Sequence, residues 1–251
     1  MAESARDWVA KGFKTLYLKV GFNPNLDVAR VAAVREAVGH GTVRIRVDAN
    51  QAWSPTMEKT IIGRMSEFDL EYVEQPVQMY NLEDLAEIRR AVSVPILAHE
   101  STYTFYDALN VVKHQAAGTL QLDPQFDAGL MGAKLSAGVA EAAGLPVVIH
   151  TFGELGVATA AFMQLIAACP NFILDNQTYY WNYEDDVIEG NLMTFDEETL
   201  ALPEQPGIRV SLDADRVARY SELFEREVRG RGYERPTDSY YDVRYLLFPH
   251  Y

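Results

Sequence analysis

The sequence predicts a parallel α/β barrel, and three observations support that prediction. Helical patterns and short apolar runs alternate along most of the 251-residue chain, as they do in proteins built from βαβ units. The ends of the strand-like runs recur at intervals of 23 to 29 residues, from Lys19 to Asp175. Each run also ends on a polar or charged residue, and a closed parallel barrel brings all these ends to one face. An open sheet would instead spread them along a crevice.

The composition is that of one large globular domain, since 48% of the residues are hydrophobic and 23% are charged. The net charge of −14 argues against nucleic acid or an anionic membrane as a partner, because both attract clustered Lys and Arg. The single cysteine, Cys169, excludes an intrachain disulfide. No apolar run has transmembrane length, and the charged start MAESARDW differs from a signal peptide. We therefore expect a cytoplasmic protein.

Four strands are predicted in the first part of the chain. The helix ESARDWVAKG, closed by Gly12, precedes the strand TLYLKV, and a helix capped near Asn25 precedes the strand VRIRVD. Ser54 and Pro55 are the cap and first-turn proline of the helix TMEKTIIGRMSEF, which leads to the strand DLEYVE. Asn81 caps the helix NLEDLAEIRRAV, which leads to the strand PILAHE.

Three more strands, TLQLD, PVVIH and NFILD, alternate with helices YTFYDALNVVKHQ, GLMGAKLSAGVAEAAG and GELGVATAAFMQLIAAC, which makes seven strands. Beyond them, GNLMTFDEETLALPEQPG predicts a short hairpin and DADRVARYSELFEREV a helix that begins near Asp213. We therefore expect a catalytic barrel over 1–212. Residues 213–251 are expected to form a helix and a tail rich in Tyr and Arg, packed on the barrel or on a neighbouring subunit of a homo-oligomer.

Three acids, Asp48, Glu74 and Glu100, stand at neighbouring predicted strand ends. One such acid is explained equally well by a solvated loop. Three in register bring like charges together where strands converge, and such a group needs a cation. Oxygen ligands without cysteine favour magnesium over zinc. Asn50 and Gln75 are expected to hydrogen-bond the ligating carboxylates.

Across about residues 1–215 the chain resembles the enolase superfamily, specifically the barrel domain of the mandelate racemase and muconate lactonizing enzyme group. The resemblance rests on the order and spacing of YLKVG, VDANQ, VEQP and HES, and of the strand ends at Asp123, His150 and Asp175. It implies a TIM-like (β/α)7β barrel. The first strand and the N-terminal capping domain of such proteins have no counterpart here, so we expect a fragment or a domain-level gene product.

The resemblance also implies a role for each residue of the group. The Mg²⁺ ligands would be Asp48, Glu74 and Glu100. Lys19 would be a base on one face of a small carboxylate substrate, with its pKa lowered by burial and by the metal. On the other face, the base or acid would be His150, oriented by Asp123. The substrate-binding residues would be Asp175, Asn50 and Tyr17.

The stretch GELGVATAA after His150, together with Asp175, is most similar to the glucarate-type dehydratases. We therefore expect a lyase that removes the proton alpha to the carboxylate of an acid sugar and expels water to give a 2-keto-3-deoxy acid. Two alternatives stay open. The same Lys and His pair can racemise or epimerise a 2-hydroxy acid, and a truncated barrel can be catalytically silent.

The sequence departs from the family pattern at three side chains. Tyr17 stands at the first lysine of the usual Lys-x-Lys, and His99 stands where many relatives have Asp. Phe126 stands where the cycloisomerase and dipeptide-epimerase branches carry a lysine, which argues against a two-lysine mechanism. Other candidates are expected to be inert or to pack, although the aromatic ones are also candidates for lining a pocket: His40, His114, His250, Tyr179, Tyr180 and Trp181.

Overall fold

A computed structural model of the chain describes residues 1–202 and 206–227. Six parallel strands form one curled sheet in chain order, a half-barrel whose strands are β1 (Thr15–Lys19), β2 (Arg44–Asp48), β3 (Leu70–Glu74), β4 (Ile96–Ala98), β5 (Thr119–Leu122) and β6 (Val147–Ile149). The predicted α/β fold class is confirmed.

Helices precede, connect or follow the strands: α1 (Ala2–Ala10), α2 (Pro24–Val38), α3 (Glu58–Met65), α4 (Leu82–Ala91), α5 (Phe105–His114), α6 (Gly129–Ala142), α7 (Gly156–Ala168) and α8 (Ala214–Glu227). The predicted hairpin is confirmed as two antiparallel strands, β7 (Phe195–Asp196) and β8 (Thr199–Leu200). Asp213 caps α8 through hydrogen bonds from the backbone N–H groups of Asp215 and Arg216, both at 3.0 Å. The domain division at 213 stays a prediction, and the tail from 228 onward lies outside the described residues.

Alternation along each strand separates the core from the concave face. Ile45 and Val47 of β2 are fully buried in the main hydrophobic cluster, which the helices cover. Arg44, Arg46 and Asp48 alternate with them, and side chains of a strand point alternately to the two faces of its sheet. The apolar outer face therefore holds the helices in place, while the inner face combines charged residues with a small buried cluster of Tyr72, Leu97 and Val148.

Two helix starts differ from the prediction. Asn23, not Asn25, caps α2, because its side chain accepts hydrogen bonds from Asn25 N and Leu26 N and the next residue is a first-turn proline. Helix α3 begins at Glu58. Ser54 lies in the turn before it, where the backbone carbonyl of Ser54 accepts a hydrogen bond from Met57 N at 2.9 Å. Asn81 caps α4 as predicted, through Asp84 N at 3.2 Å.

The predicted seventh strand, NFILD, is not a strand among the described residues. Its segment still follows β6, because Val147 N donates to Asn171 O at 3.0 Å. Two residues on, Ile149 N bonds to the side-chain oxygen of Asn176 at 2.8 Å. A side-chain amide thus takes the place of a backbone carbonyl, and the strand ladder does not continue.

No helix within the described ranges is long and apolar enough to cross a membrane.

Candidate active site

Sheet register brings the first three candidate residues side by side. Lys19 pairs with Asp48, and Asp48 pairs with Glu74, in the parallel ladders β1–β2 and β2–β3. Because parallel strands end at the same edge of a sheet, the residues that follow β4, β5 and β6 complete this edge: Glu100, Asp123 and His150. We call this edge the mouth.

Lys19 donates from Nζ to Asp48 and to Asn50 Oδ1, the latter at 2.8 Å. Burial lowers the pKa of Lys19, but the charges of Asp48 and Glu74 outweigh burial and raise the pKa above its ordinary value. The carboxylates of the chain therefore move this pKa in the direction opposite to the one we expected. The ammonium group of Lys19 supplies positive charge to the acids.

Tyr17 contacts the acids through its hydroxyl group. Its hydroxyl donates to Asp48 and lies 3.0 Å from Glu74 Oε2. Burial, followed by the charges of Asp48 and Glu74, raises the pKa of Tyr17 well above its usual value. Tyr17 is therefore a permanent hydrogen-bond donor that holds two carboxylates together, and its predicted contact with substrate stays a prediction.

The three predicted metal ligands, Asp48, Glu74 and Glu100, are all buried. Burial, with the charge of Asp48 added, raises the pKa of Glu74 to about 8. Glu100 Oε2 has no hydrogen-bond partner among the described residues. An all-oxygen donor set with an unpartnered buried oxygen and excess negative charge fits a hard dication such as Mg²⁺. The three acids do not offer oxygens that all lie within 4.8 Å of one another, so their convergence on one ion stays a prediction.

The predicted supporting amides differ in what they hold. Asn50 donates to Glu100 Oε1 at 3.2 Å, as expected for a residue that orients a ligating carboxylate. Gln75 instead accepts from the backbone N–H groups of His99 and Ser101, at 3.0 and 3.2 Å. Gln75 therefore fixes the turn that presents Glu100 without touching its carboxylate.

His150 and Asp123 form the predicted pair, with Nδ1 of the imidazole 3.0 Å from Oδ2 of the carboxylate. Asp123 is held in turn by Gln125 N, which donates to its other oxygen at 2.9 Å. Burial lowers the pKa of His150, and the neighbouring His99 lowers it further. The geometry suits a histidine whose tautomer is fixed by a carboxylate. Since β1 and β6 end the sheet order, Lys19 and His150 lie at its two edges.

Sequence reasoning assigned no role to two buried polar residues of this site, Gln121 and His99. Gln121 donates to Glu74 Oε1 at 2.9 Å. His99 places Nδ1 3.1 Å from the same oxygen, without a hydrogen-bond alignment. Alternation along β5 could have identified Gln121, because it lies two residues before Asp123 and so shares its face. No local signal distinguishes His99 from a loop histidine.

The structure places Asp175 away from the mouth, and its predicted contact with substrate stays a prediction. Its carboxylate accepts hydrogen bonds from Thr15 and Arg44, the first residues of β1 and β2. Thr15 is four residues from Lys19 along an extended strand, or about 13 Å. Asp175 instead closes an ion-pair cluster at the opposite end of the sheet, because the expected seventh strand does not continue.

Aromatic rings flank the His150 side of the mouth. Phe152 packs edge-on against the His150 ring at a centroid distance of 4.3 Å. Phe126 stacks on Tyr103 at 4.5 Å and is 49% exposed. These three residues, Tyr103, Phe126 and Phe152, form an apolar wall that we call the aromatic shelf. The shelf leaves exposed aromatic surface beside His150.

The other candidates lie elsewhere. Tyr179 and Trp181 line a cavity of about 610 Å³ beside β1. Tyr180 is buried, and its hydroxyl donates to Asp186 at 2.5 Å. His114 is on the outer surface of α5, 3.7 Å from Glu83, and His40 is exposed. His250 lies outside the described residues.

Comparison with known proteins identifies the family. Residues 1–216 match the enolase C-terminal domain-like family. The chain is 32% identical over 218 residues to the L-Ala-D/L-Glu epimerase of Clostridium acetobutylicum, which covers 84% of this chain and 59% of the relative. It is 33% identical over 214 residues to the hydrophobic dipeptide epimerase of Enterococcus faecalis, which covers 84% of this chain and 60% of the relative.

A solved structure supports the same assignment. The crystal structure of the dipeptide epimerase from Enterococcus faecalis V583, complexed with Mg and the dipeptide L-Leu-L-Tyr, matches with a TM-score of 0.78 and 32% identity. The match covers 84% of this chain and 59% of that one. The chain thus spans about three fifths of the length of these relatives.

These comparisons overturn the predicted reaction. The expected acid-sugar dehydratase is wrong, because the most similar relatives are mainly epimerases, with a racemase and cycloisomerases among the others, and none is named as an acid-sugar dehydratase. The lyase class and an acid-sugar substrate have no support among them. The alternative that we left open, a racemase or epimerase, agrees with the relatives.

Proposed function

This chain belongs to the enolase C-terminal domain-like family, and on that premise we propose that it epimerises or racemises a small carboxylate substrate. The observation that supports the proposal most directly is the placement of two proton carriers. Lys19 ends β1 and the His150–Asp123 pair follows β6 and β5, at opposite edges of one sheet with the buried acids between them. Inverting a carbon requires a proton to leave one face and another to arrive at the opposite face.

In the proposed reaction, one of these bases takes the proton alpha to the substrate carboxylate. The bonding electrons move into the carboxylate, and the other residue delivers a proton to the opposite face. Asp123 stabilises the protonated form of His150 and fixes its orientation. General acid–base catalysis of this kind contributes about 10²–10⁴ in rate.

The proposed cofactor is Mg²⁺, held by Asp48, Glu74 and Glu100. When bound, it supplies positive charge that stabilises the developing second charge on the substrate carboxylate. Tyr17 and Asn50 orient these acids, as their hydrogen bonds to Asp48, Glu74 and Glu100 indicate. Neutralising the acids also frees Lys19 from the charges that keep it protonated.

The proposed substrate is an N-acylated amino acid or a dipeptide with an apolar side chain. The relatives named above act on dipeptides, and the aromatic shelf places exposed rings beside His150. A substrate with an apolar side chain can bury that group against Phe126 and Phe152. The shelf gives no reason to expect an acid sugar, whose hydroxyl groups need hydrogen-bond partners.

The test is a panel of single stereoisomers incubated with the chain and Mg²⁺ and followed by chiral chromatography. The panel contains apolar dipeptides, N-acyl amino acids and 2-hydroxy acids. We expect epimerisation of members of the first two groups. Turnover of 2-hydroxy acids alone would contradict the proposed substrate class, and no turnover of any member would contradict the proposed function and favour a catalytically silent barrel.

A further inference from the structure

His99 is buried without a hydrogen-bond partner. It is 3% exposed, and among the described residues neither ring nitrogen has an aligned hydrogen bond. The nearest oxygens to its Nδ1 are Glu74 Oε1 at 3.1 Å and Glu100 Oε2 at 3.7 Å. Buried polar groups are normally paired, so an unpaired imidazole at the base of the mouth calls for a ligand.

The ring of His99 lies against the ring of His150, with a centroid distance of 4.1 Å and an angle of 43° between their planes. One ligand atom each from His99, Asp123 and His150 lies within 4.8 Å of the other two, and all three residues are buried. Among the described residues this is the one group of three metal-ligating side chains that is so compact. Two histidine nitrogens and one carboxylate oxygen therefore lie close enough together to hold one ion.

We propose that His99, Asp123 and His150 form a second metal site, selective for a transition-metal dication such as Zn²⁺. Zinc favours histidine nitrogen and carboxylate oxygen, and three protein ligands leave one position open. Magnesium prefers oxygen ligands only, so it discriminates against this group and favours the acids. The affinity of such nitrogen-containing sites for first-row dications rises from manganese through cobalt to copper and is lower again for zinc.

The site has a consequence that rests on the proposed function. A metal that takes a lone pair of His150 removes that side chain from proton transfer. Zn²⁺ should therefore inhibit epimerisation even when Mg²⁺ is saturating. The metal binding itself does not depend on the reaction.

The test is a titration of the chain with Co²⁺ in excess Mg²⁺, followed by the visible absorption of cobalt. Co²⁺ is the probe because zinc has no visible spectrum. We expect one bound Co²⁺ with the intense band of a four- or five-coordinate site. The variant His99→Asn should weaken binding by more than about 10-fold, since even indirect support of a ligand is worth that much. His114→Asn, a histidine on the outer surface of α5, should bind as the unmodified chain does.

Unchanged Co²⁺ affinity in His99→Asn, or no Co²⁺ binding in excess Mg²⁺, would overturn the proposal. If His99→Asn does not fold, proton NMR of the unmodified chain with Co²⁺ decides instead. Two paramagnetically shifted imidazole N–H signals are expected, and their absence would overturn the site. If Co²⁺ binds as expected but no substrate is epimerised, the metal site stands and the proposed function fails.

Discussion

Nδ1 of His150 lies 3.0 Å from Oδ2 of Asp123, and both side chains are buried at the mouth. This pair lies at the β6 edge of the sheet, and Lys19 ends the strand at the other edge. A carboxylate behind a histidine fixes which nitrogen faces the substrate and stabilises the imidazolium that forms during proton transfer.

Replacing Asp123 with Asn keeps the shape of the side chain but removes its charge. We expect epimerisation to fall by about 10²–10⁴, the usual range for a general acid–base group. The measurement is kcat by chiral chromatography on a substrate identified in the panel. Asp107→Asn, at the start of α5, is the matched control and should keep its kcat. Equal losses in both variants would show that the effect is not specific to the pair.

Replacing either of two glycines of α6 with Ala should change the free energy of unfolding, in opposite directions. A Cβ on Gly132 would lie 1.5 Å from the carbonyl oxygen of Asp127, whereas a Cβ on Gly138 would meet nothing within 4 Å. Gly132→Ala should therefore lower the free energy of unfolding by more than about 2 kcal/mol, through overpacking. Gly138→Ala should raise it by about 0.5–1 kcal/mol, because Ala loses less backbone entropy in a helix. Urea denaturation measures the free energy of unfolding of both variants. A change in the same direction in both would contradict the packing of α6.

Thr104 caps α5 through a capping box, in which its side chain and that of Asp107 bond each other's backbone N–H. Thr104→Ala should lower the free energy of unfolding by about 1 kcal/mol. The comparison is Ser54→Ala, at a position that the sequence wrongly predicted as a cap. Ser54 is half-buried and caps no helix, so that change should stay within about 0.5 kcal/mol, as substitutions away from such features usually do. The measurement is thermal unfolding of the two variants. A larger loss of stability in Ser54→Ala than in Thr104→Ala would contradict the assignment of Thr104 as the cap.

The ion pair of Asp175 should make the free energy of unfolding depend on pH. Burial raises its pKa, but hydrogen bonds from Thr15 and Arg44 outweigh burial and hold the pKa below its usual value. A carboxyl whose folded pKa is depressed stabilises the fold above its unfolded pKa of about 3.9, and that contribution is lost as the pH falls through the folded pKa. Because the group is partly exposed, solvent screening keeps its contribution below about 1 kcal/mol.

The check is urea denaturation of Asp175→Asn and the unmodified chain at pH 7 and near pH 3. The difference between them should be present at pH 7 and shrink at the lower pH. A difference that grew as the pH fell would contradict the ion-pair cluster. Retained epimerisation by Asp175→Asn would agree with the position of this residue away from the mouth.

The order of the site residues was predictable because strand ends recur at the length of one βαβ unit. That spacing placed Lys19, Asp48, Glu74 and Asp123 at one edge, and the ladders confirm the register of the first three. The same extrapolation failed at Asp175, since the sequence does not show that the side chain of Asn176 replaces a backbone hydrogen bond. A repeat pattern cannot report where the pairing ends.

The contacts of His99 and the reaction type could not be predicted from the sequence, for a different reason. The partners of His99 come from separate strands, so only the folded sheet shows that it meets Glu74 and His150. Dehydration and epimerisation both begin with removal of an alpha proton. They differ in whether the substrate carries a leaving group, which the residues of the chain do not specify.

The most direct test of the central claim, that Lys19 and His150 serve opposite faces of one carbon, is solvent deuterium exchange. Each stereoisomer of a panel substrate is incubated in D₂O with Mg²⁺ and the chain, Lys19→Ala or His150→Asn, and the alpha proton is followed by NMR. Neither variant should epimerise. Each should still exchange the alpha proton of one stereoisomer, and the two variants should retain opposite stereoisomers, because each keeps one base. Retention of the same stereoisomer by both variants, or undiminished epimerisation by either, would contradict the account.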